Sequence, residues 1–262
     1  MLRVFLRPEP TGFPKGLIAG PLGSHQNLIG TRKLISEDIG AATTQVSHIQ
    51  LYPFANPYKG IVDRPALIPF TNPTYAIYVW KDGRRFISEL ATRKECADYM
   101  MFTLKEKPTF SIFDEKAWPN FTKEAVMEEG LKGGRIIKAD TLEELAAKAG
   151  IDPAGLKDTV ERYNSYVETG TDLEYGKPKM LNKIEKPPFY ALPQWPSVHH
   201  TMGGLQVNVN TQVLDNKGNA IPGLYAAGEC TGGIHGACRL GSVAIPDCIV
   251  FGRRAGKNAA AR

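Results

Sequence analysis

The last quarter of the chain carries its most legible pattern. Leu205-Gln206-Val207-Asn208-Val209 alternates apolar and polar positions and predicts a strand, and Asp215-Asn216-Lys217-Gly218 has the residues of a tight turn. Gly223 to Ala227 is a short apolar run ending in Gly228-Glu229. A glycine-dense loop follows, then an apolar, alanine-rich segment from Val243, which is the order strand, loop, helix. Upstream, a short helical pattern over 35–42 leads into an apolar strand at His48 to Leu51. Another strand is predicted at Tyr75 to Trp80, with a turn at Lys81-Asp82-Gly83 and a strand onward from Arg85.

Two helices are signalled by their ends. Thr141-x-x-Glu144 is a capping box that opens a helix over 142–149, which Gly150 can end. Asp152-Pro153 supplies an N-cap and a first-turn proline for a helix to about Val167, with Leu156, Val160 and Tyr163 on one packing face. From about residue 48 to 196 the chain is rich in prolines, aromatics and charges, and it reads as a separate, mobile cap. No internal repeat or low-complexity tract is present.

With 262 residues and 42% apolar content the chain can bury a sizeable core and reads as globular and soluble, cytoplasmic or periplasmic. No run of about twenty apolar residues is present to span a bilayer. Met1 to Arg7 is too short and too charged for a signal-peptide core. The net charge of +5 is spread without a basic block, which excludes a nucleic-acid stripe. Cys96, Cys230, Cys238 and Cys248 lack Cys-x-x-Cys spacing and read as reduced structural thiols rather than a zinc, iron–sulfur or haem site.

The glycine-dense loop invites a ligand. Glycines let backbone approach closely, and a helix N-terminus offers unpaired N–H groups to an electron-rich group. The competing reading is a turn that is glycine-rich for steric reasons alone. Arg239 and the pair His199-His200 tilt the balance toward a site. His200 reads as a packing residue or a partner of a backbone carbonyl, and His25, His48 and His235 read as ordinary core or surface histidines.

Three C-terminal motifs carry a family resemblance: His199-His200-Thr201-Met202-Gly203-Gly204, Gly223 to Glu229, and Gly232-Gly233-Ile234-His235-Gly236-Ala237-Cys238-Arg239-Leu240-Gly241 with the helix after it. With Ile49-Gln50-Leu51-Tyr52-Pro53 and Asp82 to Arg93, the chain from about residue 17 onward resembles the FAD-dependent fumarate reductase, succinate dehydrogenase and flavocytochrome c group, closest to its soluble fumarate and urocanate reductase branch. The resemblance implies an α/β FAD-binding domain, in its C-terminal portion and without the Rossmann half, and an inserted α+β capping domain. Residues 1–47 and 197–262 would belong to the FAD-binding domain and 48–196 to the cap.

It also implies roles. Arg239 matches the arginine that clamps a substrate carboxylate, and His199 the histidine that bonds the same end. Arg93 matches the cap arginine that donates a proton. The alternative is that Arg93 only stabilises charge, because arginine is a poor acid in water. Tyr52, Thr92 and Gly241 complete the expected substrate contacts. Gly203, Gly204, Gly228, Glu229, Ser242, Val243, Ala244 and Ile245 are the expected FAD contacts, and Thr201, Met202, Gly203, Glu229 and Thr231 a possible sodium site. The expected reaction is reduction of the C=C bond of an unsaturated carboxylate.

Departures from the family pattern are informative. Tyr52 stands where fumarate reductases carry a second carboxylate-binding histidine, which favours a mono-acid with an aromatic or polar far end, urocanate-like or cinnamate-like. No Glu/Arg relay is visible over 69–75. Cys238 replaces a common asparagine, and Ser242-Val243 a common Gly-Asn. The dinucleotide-binding βαβ unit with its Gly-x-Gly-x-x-Gly turn is not in the chain. The expected partners are therefore an N-terminal Rossmann half and an electron-donor domain or subunit. The alternative to an enzyme is a non-catalytic fragment that folds only against a separate flavin-binding half.

Overall fold

Residues 39–71, 73–117, 123–180 and 182–261 are described in a computed structural model of the chain. The first four positions of the helical pattern at 35–42, and His25, lie outside the described residues. Among the described residues the strands are β1 (Thr43–Thr44), β2 (Ile49–Ala55), β3 (Ile77–Val79), β4 (Thr109–Asp114), β5 (Ile137–Ala139), β6 (Phe189–Thr201), β7 (Gly204–Leu205), β8 (Gln212–Leu214) and β9 (Ala220–Tyr225). The helices that matter below are α1 (Arg93–Asp98), α2 (Glu124–Lys132), α3 (Leu142–Ala149), α4 (Pro153–Thr169) and α5 (Ala244–Ala260). Two compact units result. One takes in residues 39–51 and 198–261, the other Tyr52–Ser197.

In the Tyr52–Ser197 unit the alternation of side chains along β4 and β6 builds two cores. The sheet order is β2-β6-β4-β3, with β5 also on β6, and the β3–β4, β4–β6 and β5–β6 pairs are antiparallel. Phe110, Ile112 and Ala191 point to one face and pack with Leu145 of α3 and Leu156, Val160 and Tyr163 of α4. Phe113, Tyr190 and Leu192 point to the other and pack with Met127 of α2. Each such side chain contributes about 1.5–3 kcal/mol by leaving water.

The helix ends follow the sequence signals with one change. Asp152 accepts from the Gly155 N–H at 2.9 Å, Gly150 adopts the left-handed conformation, and Thr141 accepts from the Glu144 N–H at 3.1 Å. The Glu144 carboxylate, however, takes the Asp140 N–H at 3.0 Å rather than closing the box on Thr141. A complete capping box lies instead at Thr92 and Glu95.

The strand expected onward from Arg85 is a single bridge, Val79 with Arg85. Its side chain explains why. Arg85 donates to Glu89 (2.9 Å) and Asp172 (2.8 Å), and Lys177 stands 3.2 Å from Glu89, all four side chains fully buried. Two cations and two anions thus neutralise one another, with the Tyr163 and Tyr175 rings beside Arg85 at 5.6 and 5.1 Å. The chain turns to serve this quartet instead of pairing onward. Gly83 makes the preceding turn possible: it sits at φ +73°, and a Cβ there would lie 2.2 Å from the Leu156 backbone nitrogen.

In the smaller unit, β8 and β9 form the hairpin around the turn at 215–218, with Gly218 at φ +84°. β1 pairs antiparallel with β7, and Ala41, Leu205 and Val213 form the core. The strand expected over 205–209 stops early. Only Val207 bridges further, to Val213, because the Asn208 side chain accepts the N–H groups of Asn210 (2.9 Å) and Gln212 (3.1 Å) and turns the backbone.

Candidate active site

The smaller unit gathers the histidine and arginine motifs at one place. β6 delivers His199 and His200 at its end, and the glycine-rich loop returns Arg239 to meet them. Arg239 Nη2 donates to His199 Nε2 at 2.9 Å, and Nη1 donates to the Leu240 carbonyl at 2.9 Å. A guanidinium has no acceptor, so His199 receives this bond on a bare Nε2 and carries its proton on Nδ1. Arg239 is buried at 7% exposure while its neighbour Leu240 is 76% exposed, so the loop turns the cation inward and the aliphatic side chain outward.

Gln50 holds this loop. Its amide donates to the Arg239 carbonyl at 2.7 Å and to Cys238 Sγ at 3.3 Å. No local signal in the sequence marks Gln50 for this task, because its partners lie nearly 190 residues away.

His200 and His235 form a second cluster. His200 Nδ1 lies 3.6 Å from Glu229, whose carboxylate also accepts from the Thr201 N–H at 3.0 Å. The His235 ring meets that of His200 edge-on at 5.6 Å, and His235 Nε2 is 3.1 Å from Asp247 in the first turns of α5. His235, expected to be an ordinary core or surface histidine, is a mostly buried one whose carboxylate partner lies twelve residues on.

The glycines serve backbone contact here. A Cβ on Gly203 would lie 2.1 Å from the Gln45 backbone, one on Gly204 2.3 Å from the Cys230 carbonyl oxygen, and one on Gly232 2.5 Å from the Gly204 nitrogen. Thr231 joins Leu205 by a parallel bridge. Gly228 sits at φ +78° against Cys248. Gly241, Ser242, Val243 and Ile245 are exposed around the start of α5, with Ser242 at φ +66°. A cavity of about 380 Å³ on the same unit is lined by Thr44, Gln206, Ala226, Ala227, Gly232 and Gly233 among others. Among the described residues no group of three or more His, Cys, Asp or Glu side chains could hold a metal ion.

The other unit carries Tyr52, Thr92 and Arg93. Thr92 is the N-cap of α1 and accepts from the Glu95 N–H at 3.2 Å, while its own N–H donates to the Glu95 carboxylate at 2.7 Å. Arg93 opens the helix with its guanidinium carbon 5.7 Å from the Tyr52 ring centroid. Tyr52 is buried, and its hydroxyl donates to the Ala66 carbonyl at 2.9 Å. Burial pushes its phenol well above the ordinary range, and the nearby Arg93 charge only partly opposes this.

A family model described as FAD binding domain matches residues 28–245. The chain belongs to the FAD-binding domain family. It is 39% identical over 234 residues to an NADH:acrylate oxidoreductase of Vibrio harveyi, a match covering 88% of this chain and 23% of that protein. It is 41% identical over 234 residues to a probable fumarate reductase of Shewanella frigidimarina, covering 88% of this chain and 38% of that protein. The open conformation of a flavocytochrome c3 fumarate reductase superposes with a TM-score of 0.68 at 38% identity, covering 87% of this chain and 39% of that one. The chain therefore spans about a quarter to two fifths of the length of these relatives, and it has the mixed α/β FAD-binding fold of the fumarate reductases.

FAD is the cofactor of this family, and the exposed start of α5 suits it. The side chains of Val243 and Ile245 are exposed there beside the glycine-dense loop, an apolar surface that accepts a ring face; the Ile245 and Asp247 N–H groups already bond the Ser242 and Val243 carbonyls, and Pro246 has none. Among the described residues no helix is long and apolar enough to cross a membrane.

Proposed function

We propose that this chain is the substrate-facing part of an FAD-dependent oxidoreductase that reduces the C=C bond of an α,β-unsaturated carboxylate, fumarate-like, urocanate-like or cinnamate-like. The observation that carries the reading is Arg239, a buried guanidinium oriented by His199 and by the Gln50-held loop. A planar fork of donors beside an imidazole suits a carboxylate, and drawing charge through that carboxylate polarises the conjugated double bond. Reduced FAD, when bound, supplies the hydride to one alkene carbon. His199 and Arg239 hold the carboxylate while charge builds on it, and Arg93 is assigned the proton that the other carbon takes up. Gly203, Gly204, Gly228, Glu229 and residues 242–245 are assigned to the cofactor side. A sodium ion is assigned to the carbonyls of Thr201, Met202 and Gly203, with Glu229 and Thr231.

Tyr52 in place of a histidine removes a cation-capable donor and favours a mono-acid over a dicarboxylate. The second reading, a polypeptide that folds against a separate flavin-binding half, is favoured by α5, where Ile245, Ile249 and Val250 are each more than half exposed.

The test is the absorption spectrum of the purified chain before and after incubation with excess FAD, followed by turnover of fumarate, acrylate, urocanate and cinnamate with a reduced-dye donor. Stoichiometric flavin and turnover that is lost in Arg93→Ala support the reading. Bound flavin with no turnover of any enoate overturns it, and a protein that takes up no flavin selects the second reading.

A further inference from the structure

We infer that Tyr52 is the positioning residue for Arg93, an aromatic platform on which the guanidinium rests, and not a ligand for substrate. The inference rests on the reading above for its catalytic consequence, but the contact itself is testable without it. The guanidinium carbon lies within the roughly 6 Å over which a ring face attracts a cation.

The ring is locked from several sides. Its hydroxyl donates to Ala66, its ring packs T-shaped with that of Phe54 at 5.5 Å and 86°, and Phe54 in turn lies 5.2 Å from Tyr78. The accepting carbonyl is fixed as well. The Ala66 N–H donates to Asp63 at 3.1 Å, and Asp63 is held by Asn56 at 2.8 Å and by the buried Arg135 at 3.1 Å. A hydroxyl committed to Ala66 on a ring only 2% exposed is not offered to a ligand.

The Thr92–Glu95 capping box fixes the Arg93 backbone, and the ring contact adds to the ordering of a side chain with several rotatable bonds. A protonated imidazole at position 52 would repel the guanidinium, whereas a neutral phenol attracts it. The tyrosine therefore exchanges a direct hold on substrate for a hold on Arg93. The strength of a cation–ring contact corresponds to a population effect of about two- to thirty-fold.

The experiment uses the full chain, labelled with 15N-arginine, and follows the Arg93 Nε–Hε signal, assigned by its loss in Arg93→Lys. A ring-current displacement in the wild type, kept in Tyr52→Phe and lost in Tyr52→Leu, is the expected result. An Arg93 signal that is the same in Tyr52→Leu as in wild type overturns the inference. Should Tyr52→Leu fail to fold, 3,5-difluorotyrosine at position 52 keeps the shape while weakening the ring's negative face. It must then move the signal, and no movement is a refutation. In flavin-loaded protein, Tyr52→Leu is expected to lower kcat by about two- to thirty-fold with KM within about twofold, and Tyr52→Phe to restore kcat. A rise in KM with kcat unchanged makes Tyr52 a substrate ligand and overturns the inference. Absence of turnover in the wild type defeats the proposed function alone, leaving the Arg93 signal to decide the platform.

Discussion

Replacing Arg85 by methionine tests whether the buried quartet holds the larger unit together. In the wild type Arg85 and Lys177 balance Glu89 and Asp172 out of water. Methionine fills much of the volume but leaves two carboxylates facing one ammonium, an uncompensated buried negative charge. Breaking a buried pair in this way costs about 3–5 kcal/mol, a large share of the 5–15 kcal/mol that holds a typical domain folded. For a domain of this size the melting temperature should fall by roughly 6–20 °C. Arg85→Lys keeps the charge but loses the fork, and should cost about 1–3 kcal/mol. The pH dependence separates this mechanism from simple loss of packing. Burial alone would raise the Asp172 carboxyl, yet hydrogen bonds and charge from Arg85 hold it down at about 2; Lys177 and Arg85 likewise hold Glu89 below the usual carboxylate range against its burial. The Asp172 contribution is complete above the unfolded carboxylate range near pH 4 and is lost as the pH falls through about 2, and that of Glu89 is likewise lost only below its ordinary range. In Arg85→Met the stranded carboxylate can take a proton instead, so the deficit should narrow between pH 7 and 4. Thermal and urea unfolding followed by far-UV circular dichroism at both pH values is the assay. A deficit below about 1 kcal/mol, or one unchanged between the two pH values, refutes the reasoning.

Arg239→Lys should retain flavin binding and lose at least about tenfold in enoate turnover, since each charge-assisted bond is worth about 1.5–3 kcal/mol; steady-state turnover at matched flavin content checks it. Gly83→Ala should cost at least about 2 kcal/mol, because φ +73° is strained for alanine and its methyl would meet the Leu156 backbone nitrogen, as urea unfolding would reveal. Thr92→Ala should cost about 1 kcal/mol by opening the capping box, with the loss read as faster amide exchange at Glu95. Exchanging potassium for sodium should raise the melting temperature if the carbonyls at 201–203 hold a monovalent ion, and equal values in the two salts would dismiss that site.

Local rules identified the elements whose signals are local. Asp152-Pro153, Gly150 and the turn ending at Gly218 act through hydrogen bonds and φ preferences within a few residues, so the order of residues was enough. Apolar spacing likewise marked Leu156, Val160 and Tyr163 as one buried face of α4. The strand predicted from Arg85 failed because its side chain answers to Asp172 and, through Glu89, to Lys177, partners nearly a hundred residues on. At the site, the motifs named His199, Arg239 and Arg93, but motifs carry no distances. Folding brought Arg239 onto a His199 nitrogen, set Gln50 against the loop, gave His235 a carboxylate and placed the Tyr52 ring beside Arg93. Chain order determined which residues could do chemistry. Tertiary structure alone decided which of them touch, because charge pairing, ring contacts and close glycine backbones depend on separations through space and not along the chain.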